Sequence, residues 1–249
     1  MRMTICFKHT AAAVLLLAVS GCSAPAASQH EDTYVCREID SYNYNEPLPE
    51  TAESSDLDAF IGGDTRIGSL DLYGTLEEKN TDVYFGESMN IFQVNSVNAD
   101  GQDETLYDLL MKTEKKNIYL LLGLNEIGYE NYDSVADQFQ WLINEVKNAH
   151  PDAHLCFILN YTPSVYYGLT TEETIERTGA LNAVIRDLAV QNDCFFLDLS
   201  PALLSEEKTL KNEYTYDGIH LNPEGVSAME NYILTHTLSG GEYVKEVCE

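Results

Sequence analysis

Residues 117–159 read NIYLLLGLNEIGYENYDSVADQFQWLINEVKNAHPDAHLCFIL. The stretch opens with an apolar run, 117–122, closed by Gly123. From 132 to 149 the apolar residues Val135, Phe139, Leu142, Ile143 and Val146 recur on one helical face, and Pro151 stands just past the end. A second apolar run, 154–159, follows. A strand that is apolar along its whole length is covered on both faces, and strand–helix–strand is the unit of a parallel sheet.

The same alternation extends outward. A run at 57–61 ends in Gly62-Gly63, and 66–76 has helical spacing. A short strand is expected at 82–85 and a helix at 104–111, with Leu106, Leu109 and Leu110. On the far side lie a helix at 171–190 (Ile175, Leu181, Ile185, Leu188), a strand at 194–199 and a closing helix at 223–237 opened by Pro223. Five strands and interleaved helices predict an α/β fold, a three-layer α/β/α sandwich with a five-stranded parallel sheet, over residues 56–238. The chain has neither G-x-G-x-x-G nor G-x-x-x-x-G-K-[ST], so no motif points to a nucleotide cofactor.

The N-terminal residues read as a targeting segment. Arg2 and Lys8 precede an apolar run at 11–19 (AAAVLLLAV), of signal-peptide length and too short to span a bilayer. Val19-Ser20-Gly21-Cys22 resembles a bacterial lipobox. That resemblance implies a signal peptide over 1–21, lipidation of Cys22 and an anchor of acyl chains at the extracytoplasmic face of the cell membrane. An ordinary secretory signal cleaved near residues 24–27 is the other reading. Residues 22–55 read as an acidic tether, with Tyr34-Val35-Cys36 a short ordered exception, and 239–249 as a C-terminal tail.

Aspartate and glutamate number 41 against 14 lysines and arginines, a formal charge of -27. Such an excess argues against nucleic acid and anionic lipid as partners. The cysteines left in an exported chain are Cys36, Cys156, Cys194 and Cys248 beside Cys22. A clasp between Cys36 and Cys248 is expected, while Cys156 and Cys194 fall on neighbouring strands and are either paired or buried. No spacing suggests a metal site.

Ligands of open parallel sheets bind beyond the carboxyl ends of the strands. Those ends carry Gly63-Asp64-Thr65-Arg66, Gly86-Glu87-Ser88, Gly123-Leu124-Asn125-Glu126 and Asn160-Tyr161-Thr162, and later Asp217 and His220. A hydroxyl, donors for an oxyanion and an Asp–His pair on one rim read as a hydrolase, with His220 the base and Asp217 its orienter. Read singly, Thr65 is also a good helix N-cap and Asn125 a good turn residue. Glu126 reads as structural and Arg66 as a surface or salt-bridging residue. Asn160-Tyr161-Thr162 has the form of a glycosylation acceptor by chance. Tyr161, Tyr166 and Tyr167 are placed to stack on a sugar or cover an acyl chain, or form a plain loop patch.

The order G-D-T, a small residue after the second strand, G-x-N-E and D-x-x-H resembles the SGNH (GDSL) hydrolases. The runs FIGGDTRIGSLDLYG, LLLGLNEIGY and YTYDGIHLNPEG resemble a branch frequent in Firmicutes. The resemblance covers about 57–237 and implies a flavodoxin-like α/β/α esterase or O-acyl hydrolase that needs no cofactor. It implies a nucleophile at Thr65, oxyanion donors at Thr65, Ser88 and Asn125, and the pair Asp217 and His220. Two departures stand out. The family nucleophile is serine, and the family's second-block residue is usually glycine, so Gly86 competes with Ser88 in the alignment. The extra glycine of Gly62-Gly63 also allows a shift that puts Asp64 at the nucleophile position, and Ser69 is a hydroxyl one helical turn on.

Three functions follow from this reading. The first is a lipid-anchored esterase acting on a small ester or acylated carbohydrate. The second is a weakened relative that binds a glycan or protein partner. The third is an acyltransferase using the same site.

Overall fold

The computed structural model describes residues 4–8, 34–39, 43–238 and 244–246, in two units. The smaller unit holds a three-stranded antiparallel sheet of β1 (Thr4–Lys8), β2 (Tyr34–Ile39) and β8 (Val244–Glu246), in the order β1-β2-β8. Strands therefore run through parts of the expected signal segment, tether and tail. The apolar run 11–19, Cys22 and Gly240-Gly241 lie outside the described residues, and so does the expected Cys36–Cys248 clasp, since neither thiol is described.

The larger unit is a five-stranded, wholly parallel sheet. Its strands are β3 (Ala59–Gly63), β4 (Thr81–Phe85), β5 (Asn117–Leu121), β6 (His154–Ile158) and β7 (Phe195–Leu197), in the order β4-β3-β5-β6-β7. Six helices accompany it: α1 (Thr65–Tyr73), α2 (Leu106–Lys112), α3 (Asp133–Ala149), α4 (Thr171–Gln191), α5 (Ser200–Leu203) and α6 (Pro223–Thr235). The expected three-layer α/β/α sandwich is the fold observed.

The strand alternation sorts the core into two layers. Phe60, Ile118, Leu120, Leu155, Phe157 and Phe196 pack with α2, α3 and α4 in one continuous cluster. The opposite side chains face α1 and α6, which touch each other. There Tyr119 shares a hydrogen bond of 2.9 Å with Thr237, just past α6. Helix α3 shows why its pattern was so legible. Its buried residues are the five apolar positions named above, and burying each large apolar side chain stabilises by about 1.5–3 kcal/mol.

Helix starts follow their capping chemistry. Thr105 with Asp108 and Thr170 with Glu173 form reciprocal capping boxes at α2 and α4. Asn222 caps α6, where Pro223 occupies the first turn. Strand β3 lies two residues later than the run at 57–61 suggested, and it takes in both glycines. A Cβ on Gly63 would sit 2.1 Å from the Leu121 carbonyl oxygen, so only glycine lets β3 and β5 approach this closely.

The domain also begins earlier than position 56. Residues 43–58 belong to the larger unit: the Leu48 N–H donates to the Phe196 carbonyl at 3.0 Å and Ser54 N–H to that of Leu234 at 2.9 Å. Leu48 and Leu57 are buried. Two leucines in a polar run anchor this strap without creating a periodic signal. Cys156 and Cys194 are free and buried, and burial raises both thiols, Cys194 to about 11. They are packing residues with no thiolate character.

The chain leaves β3 for one edge of the sheet and returns to β5 on the other side, so the crevice lies between the ends of β3 and β5. A layer of buried charge closes the sheet there. Arg66 has no exposed surface and donates to Asp64 through Nε (2.9 Å) and Nη2 (2.7 Å), and to the Asn160 side-chain oxygen through Nη2 (2.6 Å). Its guanidinium carbon stands 5.3 Å from the centre of the Tyr161 ring. Of the two readings of Arg66, surface or salt-bridging, the structure shows the second. Helix α1 starts beneath the carboxyl edge, and the side chain turns inward to pair with its own N-cap.

Glu126 completes the layer, fully buried and accepting the Ile91 N–H at 2.6 Å. Burial pushes its carboxyl up to about 7. The Ile91 N–H and Arg66 oppose that rise, and Asp64 adds to it.

Truncating Arg66 to alanine leaves Asp64 buried and unpaired, and should lower stability by about 3–5 kcal/mol. Urea denaturation would read this as a lower midpoint at unchanged slope, and the double change Asp64→Asn/Arg66→Met should lose less. Glu126 predicts a pH effect. Its carboxyl rises from 4.5 unfolded to about 7 folded. The protonated form therefore stabilises the fold fully below about 4.5, and that contribution is lost as pH rises through about 7. Stability should fall between pH 5 and pH 8, and Glu126→Gln should flatten the fall.

Candidate active site

The site begins at the first turn of α1. Asp64 is the N-cap, its carboxylate accepting the Arg66 N–H at 3.1 Å. That leaves Thr65 as the first helical residue, where the backbone N–H has no intrahelical acceptor. Among the described residues that N–H has no partner. The capping work considered for Thr65 is thus done by its neighbour. Asp64 itself is fully buried in the pair with Arg66, which removes it from any position facing a substrate. The Thr65 hydroxyl oxygen accepts the Ser88 N–H at 2.8 Å.

Ser88 lies in the loop after β4 with φ +55, a left-handed conformation that favours glycine. Gly86 instead spends its N–H on the Gly63 carbonyl at 3.0 Å, in continuation of the sheet. The backbone suited to a glycine is therefore at Ser88. Asn125, in the 3-10 turn Leu124–Glu126 after β5, donates from Nδ2 to the Met89 carbonyl at 2.8 Å. That puts its amide beside the residue following Ser88, with one amide hydrogen of Nδ2 still to place.

The Asp–His pair is formed. His220 Nδ1 and Asp217 Oδ2 are 2.6 Å apart, and Asp217 Oδ1 accepts the N–H groups of Ile219 (2.9 Å) and His220 (2.8 Å). Partial burial would raise the Asp217 carboxyl. The imidazole and the two backbone donors outweigh it and hold the group at about 2. Gly218 makes the turn possible. Its φ is +87, and a Cβ would meet Ser164 and Val165 at 2.9 Å. From below, the Tyr161 hydroxyl donates to the Ile219 carbonyl at 2.9 Å.

Thr65, Asp217 and His220 line one cavity of about 320 Å³, with Gly68, Ser69, Leu72, Tyr73, Phe85, Tyr216 and Leu221. The fold thus brings Thr65, Asp217 and His220 to one cavity and ties Ser88 and Asn125 to it through Thr65 and Met89. Leu72 and Tyr216 are 68% and 80% exposed, far more than most large apolar side chains here. These apolar walls were not singled out in the sequence, because Leu72 and Tyr73 sit on an ordinary helical pattern.

Tyr161 is fully buried and holds a loop, so it cannot stack on a substrate. Tyr166 donates to the Leu124 carbonyl at 3.2 Å, and Tyr167 is wholly exposed. Asn160, Tyr161 and Thr162 are all buried, which closes them to glycosylation. Among the described residues, no group of three or more His, Cys, Asp or Glu side chains is arranged to hold a metal.

Comparison with known proteins places this geometry. No curated protein sequence matches the chain. Solved structures share its fold at low identity. A GDSL-like lipase from Bacteroides thetaiotaomicron aligns at 16% identity over 70% of this chain and 84% of its own, with a TM-score of 0.53. A protein assigned as an acylhydrolase from Bacteroides fragilis aligns at 16% identity over 76% and 89%, with a TM-score of 0.54. A lipolytic protein of the G-D-S-L family from Desulfitobacterium hafniense aligns at 11% identity over 71% and 98%, also at 0.54. The family model for GDSL-like lipases and acylhydrolases matches residues 76–228. Ser88, Asn125, Asp217 and His220 lie inside that match, and Thr65 lies before it. With more than half of its length matched, the chain belongs to the GDSL-like lipase/acylhydrolase family of ester hydrolases.

Proposed function

We propose that this chain hydrolyses an ester through an acyl-enzyme on Thr65, at the extracytoplasmic face of a bacterial membrane to which lipidated Cys22 anchors it. One observation carries the chemistry: the Thr65 hydroxyl, not used as a helix cap, lines the same cavity as a histidine whose Nδ1 is held by a carboxylate.

In this reading His220 Nε2 takes the proton of the Thr65 hydroxyl as its oxygen attacks the ester carbonyl. Asp217 keeps the proton on Nδ1 and stabilises the imidazolium that forms. The oxyanion receives the Thr65 N–H, the Ser88 N–H and the free Nδ2–H of Asn125. Each well-placed donor contributes about 3–4 kcal/mol to the transition state. Collapse of the tetrahedral intermediate breaks the ester C–O bond, and His220 returns its proton to the leaving alcohol. Water, activated by the same imidazole, then frees the acid and restores Thr65. A sugar hydroxyl in place of that water would make the site an acyltransferase, and product analysis with an added acceptor separates the two outcomes. A small ester or an acylated carbohydrate is the substrate class proposed.

A second reading has support of its own. The threonine methyl stiffens χ1 and crowds the attack path, and the Ser88 N–H is engaged by the hydroxyl it would have to release. A weakened enzyme that binds a glycan or partner at this rim is compatible with both facts.

Assays with short-chain p-nitrophenyl esters distinguish the readings. Under the first, Thr65→Ala and His220→Ala each lower kcat by about 10²–10⁴-fold, and Thr65→Ser raises it. A silent wild type that becomes active only as Thr65→Ser would favour the binding role. For the anchor, Cys22→Ala should move the protein from the membrane fraction to the soluble fraction. Retention of the variant in the membrane would sink the lipoprotein assignment.

A further inference from the structure

We propose that Glu126 is a positioning residue for the oxyanion-donating loop, an inference that rests on the acyl-transfer reading above. Asn125 and Glu126 are consecutive in one short turn, and both grip the loop after β4. Asn125 Nδ2 donates to the Met89 carbonyl at 2.8 Å, and the Ile91 N–H donates to Glu126 Oε1 at 2.6 Å. Ser88, the residue immediately before this doubly held segment, presents the N–H that meets the Thr65 hydroxyl.

The loop does not keep its shape by local preference, because Ser88 is a non-glycine residue in the left-handed region. Its partners must hold it there. Met89 closes a tight turn on the Gly86 carbonyl at 3.2 Å, and the Met89 and Ile91 side chains are buried. The polar restraint on the far end of the segment is Glu126. An apolar side chain of similar volume would fill the space and leave the Ile91 N–H without its acceptor.

Glu126 also stands within electrostatic range of Arg66 and Asp64 at the start of α1. The site has two halves. One is Thr65, placed by its capped helix. The other is the Ser88 N–H, placed by the loop whose Ile91 N–H Glu126 accepts. A displacement near 1 Å at such a contact can cost on the order of 10²-fold in rate.

The test uses the full chain and short-chain p-nitrophenyl esters. Glu126→Ala and Glu126→Asp withdraw the acceptor, and kcat should fall by roughly 10–100-fold, with KM within about twofold of wild type. Glu126→Gln keeps an oxygen for the Ile91 N–H and should recover most of the rate. Hydrogen exchange supplies a readout independent of catalysis: peptides over 86–91 should exchange faster in Glu126→Asp, while those over β5 and β6 do not change. If Glu126→Ala does not fold, the Asp and Gln pair still decides. Wild-type kcat in Glu126→Asp, or unchanged exchange at 86–91, would overturn the proposal. Inactivity of the wild type on every ester would instead count against the acyl-transfer reading, and the exchange comparison would still judge Glu126.

Discussion

The guanidinium of Arg66, with no exposed surface, lies under the carboxyl edge of the sheet, and the loops of the site are fastened within its reach. It holds Asp64, which caps α1 and so leaves Thr65 free of that task. It holds Asn160 at the end of β6, and it stacks near Tyr161, whose hydroxyl secures the backbone just before His220. Its charge also acts on Glu126, which accepts the Ile91 N–H of the loop that carries Ser88. A buried ion pair is weak evidence for stability, since desolvation costs about as much as the attraction returns. Its value here is register. Four side chains, from three parts of the chain, are referenced to one charge that cannot move without exposing an unpaired partner.

That constraint explains how an internal threonine is presented. A β-branched residue in a helix is confined to few rotamers, so its hydroxyl direction follows from the helix start. Asp64 fixes that start, and the Ser88 N–H fixes the hydroxyl from the other side at 2.8 Å. The same stiffness is a cost, since attack on a carbonyl requires the oxygen to leave that donor and the methyl to clear the substrate. Serine would rotate with less hindrance. The scaffold around Thr65 is thus complete in its other parts: a held imidazole, a carboxylate kept ionised down to about 2, and backbone donors at hand.

What could be read in the sequence follows the same physics. The runs at 117–122 and 154–159 and the helix over 132–149 were legible because burial imposes periodicity over many residues, and all three appear within a residue or so of the expected bounds. The strap before residue 57 was not, since Leu48 is an isolated apolar anchor whose N–H goes to distant Phe196. Asp217 and His220 were legible as a pair because three-residue spacing across a glycine turn brings them together locally. Glu126 was legible as structural and Arg66 as surface or salt-bridging, but their burial and partners were not. Part of the Arg66 pairing is distant in the chain, as in its 94-residue separation from Asn160.

The cavity wall completes the link from fold to chemistry. Helix α1 runs away from the site with Gly68 one turn past Thr65, and a Cβ there would meet the Phe85 ring at 2.8 Å. Without that Cβ the ring lies against the helix and floors the groove. Leu72 and Tyr73 extend one wall along α1, and Tyr216, two residues from Gly218, extends the other from the loop of the Asp–His pair. The groove is therefore mostly apolar, with Thr65, Ser69, Asp217 and His220 as its polar lining beside the tyrosines. Under the acyl-transfer reading proposed above, a substrate laid in it would bury its hydrocarbon or ring faces against these side chains and bring its scissile end to the helix start. One helix thus supplies both Thr65 at its first position and the apolar side chains Leu72 and Tyr73 further along the same cavity.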